Sequence, residues 1–146
     1  MFALIQRVAN AHVEVEGRTV GAIDRGILAL IGVEAADNPQ IGSRLLEKVL
    51  TYRIFSDDAG KMNLDLRQIG GGLLLVPQFT LAADTRKGTR PSFSSAAPPG
   101  EARALFAAVL AGARAAHSPV ASGIFGADMR VHLVNDGPVT FNLHVT

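Results

Sequence analysis

From Val139 to the end the chain alternates without a break: Val139, Phe141, Leu143 and Val145 are apolar, while Thr140, Asn142, His144 and Thr146 are polar. A period of two marks a strand with one buried face and one wet face. Residues 2–15 also read as a strand, clearest where Val13 and Val15 alternate with His12, Glu14 and Glu16. Glu16-Gly17 marks a turn, Thr19 to Ile23 a short return strand, and Asp24-Arg25-Gly26 a second turn. Two runs lack alternation: Ile27 to Val33, and Leu73 to Val76, which stops at Pro77. Short continuous apolar runs are the pattern of strands covered on both faces. Ile54-Phe55 resumes a strand, and Ser56 to Gly60 is a loop.

Helical periodicity occurs twice. Asp37-Asn38-Pro39 opens the first helix with a capping side chain, then a proline whose missing N–H is not needed there. Ile41, Leu45, Val49 and Tyr52, flanked by Leu46 and Leu50, form its inward stripe. The second helix is predicted over Glu101 to Ala116, with Leu105, Phe106, Val109 and Leu110 facing in. Between them, residues 82–100 are rich in Arg, Lys, Gly, Ser and Pro and read as a long surface loop, a length uncommon unless it serves a function. The C-terminal segments read as an antiparallel pair joined by a tight turn at Asp136-Gly137-Pro138. The expected fold is a single α/β (α+β) domain over residues 1–146: a mixed, mainly antiparallel sheet with two helices packed on it.

Composition narrows the function classes. A chain of 146 residues with 48% hydrophobic content can bury a real core, and a mean hydropathy of +0.25 argues against disorder. Trp is absent and aromatics make up 5%, so aliphatic residues must build that core. With no cysteine there is no disulfide, thiolate metal site or cysteine nucleophile. The net charge of +1 means that any RNA contact must use a local patch. No apolar run approaches the roughly 20 residues of a membrane span. The first residues lack the basic region of a signal peptide, so a cytoplasmic location is expected.

Several chemistries find no support. There is no Gly-x-Ser-x-Gly elbow, no P-loop and no dinucleotide fingerprint. His12, His117, His132 and His144 show no metal-ligand spacing, so neither a metal nor a cofactor is expected. His132 and His144 are placed near each other across the C-terminal hairpin, as surface strand residues. The acidic positions at 14 and 16 read as a solvated strand face. Gln78-Phe79-Thr80, at a strand end, has two readings. The simpler is a polar terminus with Phe79 tucked into the core. The other is a set of amide, hydroxyl and backbone N–H donors aimed at a developing oxyanion. Arg86, Lys87 and Arg90 crowd a short stretch of loop, as a solvated surface or as contacts for phosphates.

Taken in order along the chain, these segments resemble the D-aminoacyl-tRNA deacylase family: Ile5-Gln6-Arg7-Val8, Arg53-Ile54-Phe55, Gly60-Lys61-Met62-Asn63, Gln78-Phe79-Thr80-Leu81, Asp84-Thr85-Arg86-Lys87-Gly88, Arg90-Pro91-Ser92-Phe93, Phe125-Gly126-Ala127-Asp128-Met129 and Asn135 to Thr140. The resemblance implies hydrolysis of the ester joining a D-amino acid, or glycine, to tRNA. It implies a homodimer with the active site at the interface, where a cis Gly137-Pro138 from one subunit enters the pocket of the other and collides with L side chains. It further implies that the 2′-hydroxyl of the terminal ribose assists, while backbone amides around Phe79 and Thr80 hold the carbonyl oxygen. Thr80 would support this and not attack, since nothing supplies it with a base. Arg7 would anchor the Gly137-Pro138 segment and Met129 would wall the pocket. The family motif usually begins with serine where this chain has Pro77, and the donors that follow are expected intact. Two competing readings are a nucleic-acid binding module without catalysis and a small-molecule hydrolase with Thr80 as nucleophile.

Overall fold

The computed structural model describes residues 1–146. In chain order the elements are β1 (Phe2–Val15), β2 (Arg18–Ile23), β3 (Gly26–Gly32), α1 (Pro39–Thr51), β4 (Phe55–Ser56), β5 (Met62–Leu64), α2 (Leu66–Ile69), β6 (Gly72–Pro77), a one-turn 3₁₀ helix (Phe79–Ala82), α3 (Pro99–Ala116), β7 (Val120–Ser122) and β8 (Arg130–His144). The main sheet runs β2-β1-β3-β6-β7, with β8 on the other edge of β1. β1 pairs antiparallel with β2, β3 and β8, whereas β3–β6 and β6–β7 are parallel. The mixed, mainly antiparallel single domain expected from the pattern is therefore present.

Two apolar layers sandwich the central strands. Ile27, Ala29, Ile31, Leu73 and Leu75 pack with Leu45, Leu50 and Phe106 beneath α1 and α3. The intervening Leu28, Leu74 and Val76 turn the other way, toward Val8 and Val13. Both faces being covered, every second residue need not be polar, which explains the unbroken apolar runs. Leu73 and Leu74 are each fully buried on opposite faces, and each burial contributes about 1.5–3 kcal/mol. Close packing is strictest where β3 meets β6: a Cβ on Gly26 would stand 1.9 Å from the carbonyl oxygen of Gly72.

Local signals set the helix starts. The Asn38 carboxamide oxygen accepts from the Ile41 N–H at 3.0 Å, with Pro39 at the first helical position. α3 starts two residues before the expected Glu101, because Pro99 also occupies a first-turn position. α2, a third helix, was not expected. Asp65 caps it, Gln68 reciprocates, and Gly70 closes it in the left-handed region at φ 61°.

The largest correction concerns the C-terminus. No hairpin forms at Asp136-Gly137-Pro138: β8 is one long strand along β1, and these residues swell out of it between the Gln6–Thr140 and Val8–Asn135 pairs. Long-range pairing overrides the turn-like composition. His132 and His144 consequently lie apart. His132 stacks on His12, whereas His144 stacks on Phe2 and hydrogen bonds with Glu34 at 2.6 Å.

Glu34 also accepts from the Met1 ammonium at 2.8 Å. Desolvation pushes its pKa up, but the hydrogen bonds from that ammonium and His144 outweigh it and leave the carboxyl below its ordinary 4.5. A lowered native pKa contributes stability that is complete above pH 4.5 and fades as the pH falls through the native value. We expect Glu34→Gln to be less stable than the parent at pH 7, with the gap narrowing in acid. Urea midpoints at pH 7 and below pH 4 test this; a gap independent of pH refutes it.

Candidate active site

β6 ends at Pro77, and the chain turns directly into the one-turn 3₁₀ helix. The proline fits because its missing N–H points toward β7, whose pairing with β6 reaches only Leu75. On the other side the ladder continues, the Gln78 N–H donating to the Ile31 carbonyl at 2.7 Å. The next two amides, of Phe79 and Thr80, begin the 3₁₀ turn and donate to no other group of the protein. Such first-turn amides have no partner within their own helix. Beside them the Gln78 side-chain amide donates to Thr80 Oγ1. The Thr80 hydroxyl thus receives a proton donor and faces no base.

Gln78 and Phe79 line a cavity of about 460 Å³, and Thr80 follows them in the chain outside its lining; the volume is within the usual range of ligand sites. Val76, Pro77, Gln78 and Phe79 form one wall; Ala97, Pro99 and Ala102, at the start of α3, form another; Phe125, Met129 and Val131 contribute to the rest. Met129 is fixed in place, its sulfur accepting from the Ile124 N–H at 3.4 Å. Phe79 is not in the core: it is 57% exposed and leans on Phe93, ring centroids 5.2 Å apart. The residues between them form the basic loop, whose base is tied by reciprocal Asp84–Ser92 backbone bonds of 2.8 and 3.1 Å. Within that loop Arg86 is already paired with Asp84, holding that carboxyl down at about 2. Lys87 and Arg90 are exposed and make no ion pair.

The Asn135–Thr140 segment is held by side-chain hydrogen bonds from two directions. The Asn135 side chain bridges it, accepting from the Val139 N–H at 3.1 Å and donating to Thr140 Oγ1 at 2.9 Å. Arg7 braces it from β1: Nε donates to the Asp136 carbonyl at 3.0 Å and Nη1 to the Ile54 carbonyl at 2.8 Å. The Gly137–Pro138 peptide bond is cis. Both residues are exposed, and neither lines the cavity. Within one chain the two motifs do not share a pocket.

Residues 4–144 match the family described as D-Tyr-tRNA(Tyr) deacylase. The chain belongs to that family. The D-aminoacyl-tRNA deacylase of Ectopseudomonas mendocina (strain ymp) is 63% identical over 145 residues, covering 99% of this chain and all of that protein. That of Saccharophagus degradans (strain 2-40 / ATCC 43961 / DSM 17024) is 59% identical over 143 residues, covering 98% and 99%. A solved structure described as "c-Myc DNA Unwinding Element Binding Protein" superposes with a TM-score of 0.94 at 37% identity, covering 99% of this chain and 98% of that one. Another, described as "Structural Analysis of a probable eukaryotic D-amino acid tRNA deacylase", has a TM-score of 0.79 at 17% identity and coverage of 97% and 98%, which speaks to the fold alone. Membership in the deacylase family makes the protein an enzyme of the hydrolase class.

Some of this geometry was not named from sequence. The Asp136 and Ile54 carbonyls that hold Arg7 are backbone atoms with no residue signature. Phe93 was visible only as part of a motif, and only the folded loop brings it under Phe79.

Proposed function

We propose that this deacylase hydrolyses the ester between tRNA and a D-amino acid, and accepts glycine, as a proofreading activity of the cytoplasm. The observation that carries the reading is the pair of consecutive free amides, Phe79, which lines the cavity, and Thr80, which follows it, with no nucleophile–base pair in the lining. An aminoacyl ester is already activated, so two preorganised donors at the carbonyl oxygen, with the ribose 2′-hydroxyl assisting, suffice without a triad. Chirality is read by a homodimer. The exposed Gly137-Pro138 segment of one subunit enters the other's cavity beside Met129, where its backbone leaves no room for an L side chain. Glycine passes because it presents neither. Rejection of the abundant L substrate is the selective step. Exposed Phe79 and Phe93 beside the cavity offer apolar surface for such a contact.

The test is release of amino acid from tRNA charged with D- or L-tyrosine or glycine. Turnover of the D and glycyl esters with the L ester spared supports the reading; equal rates on D and L, or no turnover, refute it. A second reading, nucleic-acid binding without turnover, draws on the DNA binding ascribed to the 37% identical protein and on the basic loop. Retention of tRNA with no release would favour it.

Lys87, Arg90 and, more weakly because Asp84 holds it, Arg86 are proposed to meet tRNA phosphates. Replacing Lys87 and Arg90 together by alanine should weaken binding of uncharged tRNA and flatten its salt dependence by about 0.7–0.9 per lost contact. Filter binding across a salt series checks this, and an unchanged slope removes the loop from the interface.

A further inference from the structure

A second cluster lies on the outer face of the β1–β8 pair. His12 and His132 are direct cross-strand partners, and Glu14 follows His12 by two positions, which returns it to the same face. Cross-strand neighbours and same-face neighbours on one strand are the closest side chains a sheet offers, so three ligands can converge there without help from a loop. The two imidazoles stack with centroids 4.3 Å apart and planes 5° apart. Their Nε2 atoms address different oxygens of one carboxylate: His12 reaches Glu14 Oε1 at 3.2 Å and His132 reaches Oε2 at 3.5 Å. Arg130 is the register partner of Glu14, yet it forms no ion pair with it.

We propose that His12, Glu14 and His132 bind one divalent transition metal ion per chain, with Zn²⁺ as the reference ion. The three ligand atoms already lie within 4.8 Å of one another. Tetrahedral zinc, with bonds of about 2.0–2.1 Å, requires ligand atoms about 3.3 Å apart. Side-chain rotation closes that gap, because the three side chains are 36%, 31% and 48% exposed. Two imidazoles and one carboxylate select Zn²⁺, Ni²⁺ or Cu²⁺ over Mg²⁺ and Ca²⁺, which prefer all-oxygen ligand sets. The fourth position opens to water. None of the three residues lines the cavity beside Phe79, so within one chain the ion stands apart from it. It clips β1 to β8, the strand that carries Gly137-Pro138. Sequence spacing concealed the site because only strand pairing brings the two histidines together.

The test is calorimetric titration of the intact protein with ZnCl₂, alongside thermal unfolding in ZnCl₂ or MgCl₂. The parent should bind one Zn²⁺ per chain and gain about 5–10 °C in Tm at 100 times Kd, with no gain from MgCl₂. Glu14→Gln, which keeps the size of the side chain, and His132→Ser should each weaken binding at least tenfold. His144→Ser removes the other histidine–carboxylate contact and should leave binding unchanged. Absence of binding at about 100 μM Zn²⁺ overturns the proposal. So does parental affinity in both Glu14→Gln and His132→Ser, or loss of binding in His144→Ser.

Discussion

Gly137→Ala is expected to lower hydrolysis of D-aminoacyl-tRNA about a hundredfold and to erode the preference for D over L, while the domain stays folded. Gly137 sits at φ +128°, where a side chain is strained whatever the surrounding space. Space is lacking as well: a Cβ there would stand 2.8 Å from Val139 Cγ2 and 2.9 Å from Arg7 Nη2. The backbone strain alone costs about 1–3 kcal/mol. The loop escapes it by moving, and it cannot move without displacing Arg7, which spans the Asp136 and Ile54 carbonyls. In the proposed dimer that displacement shifts the wedge in the partner's cavity, and an error near 1 Å in a positioned group is enough for a hundredfold loss. Rates on D- and L-tyrosyl-tRNA, with a melting curve to show that the protein is folded, decide the matter. A variant with parental rates and parental selectivity removes Gly137-Pro138 from the chiral filter.

What could be read from the sequence divides along a physical line. Features fixed by neighbours in the chain were legible: the Asn38 cap, the doubly covered runs from Ile27 to Val33 and from Leu73 to Val76, and the alternation from Val139 onward. α2 carried the same kind of signal, since Asp65 and Gln68 form a capping box and Gly70 a left-handed stop, but its four residues left no periodicity to notice. Features fixed by distant pairing were not legible. Asp136-Gly137-Pro138 has the composition of a hairpin turn, and only the register of β8 against β1 turns it into a bulge on a continuous strand. The same register separates His132 from His144 and joins it to His12. At the candidate site, the motifs named Gln78, Phe79 and Met129, which line the cavity, while composition alone pointed Phe79 inward. The structure turns it outward onto Phe93 because the strand has ended and the 3₁₀ turn reverses the chain. The separation of the two motifs within one chain has no sequence signature at all.

Phe79→Pro against Phe79→Ala isolates the other half of the mechanism. Both variants lose the ring that leans on Phe93, and only proline loses the N–H. Proline is compatible with this position, which is the first of the 3₁₀ helix and follows Gln78 at φ −143°, ψ 84°, outside the helical region. If the Phe79 amide holds the developing oxyanion, the proline variant should fall below the alanine variant by a further factor of about 10²–10³ in kcat, equivalent to about 2.7–4 kcal/mol. Thr80→Ala keeps its backbone N–H and should stay within a few-fold of the parent, because the hydroxyl it removes is met by the Gln78 amide and by no base. A nucleophilic Thr80 reverses the ranking: Thr80→Ala would then be inactive, and Phe79→Pro would differ little from Phe79→Ala. Single-turnover rates on D-tyrosyl-tRNA for the three variants distinguish the two chemistries. Equal rates for the proline and alanine variants at Phe79 would move the oxyanion contact off that amide.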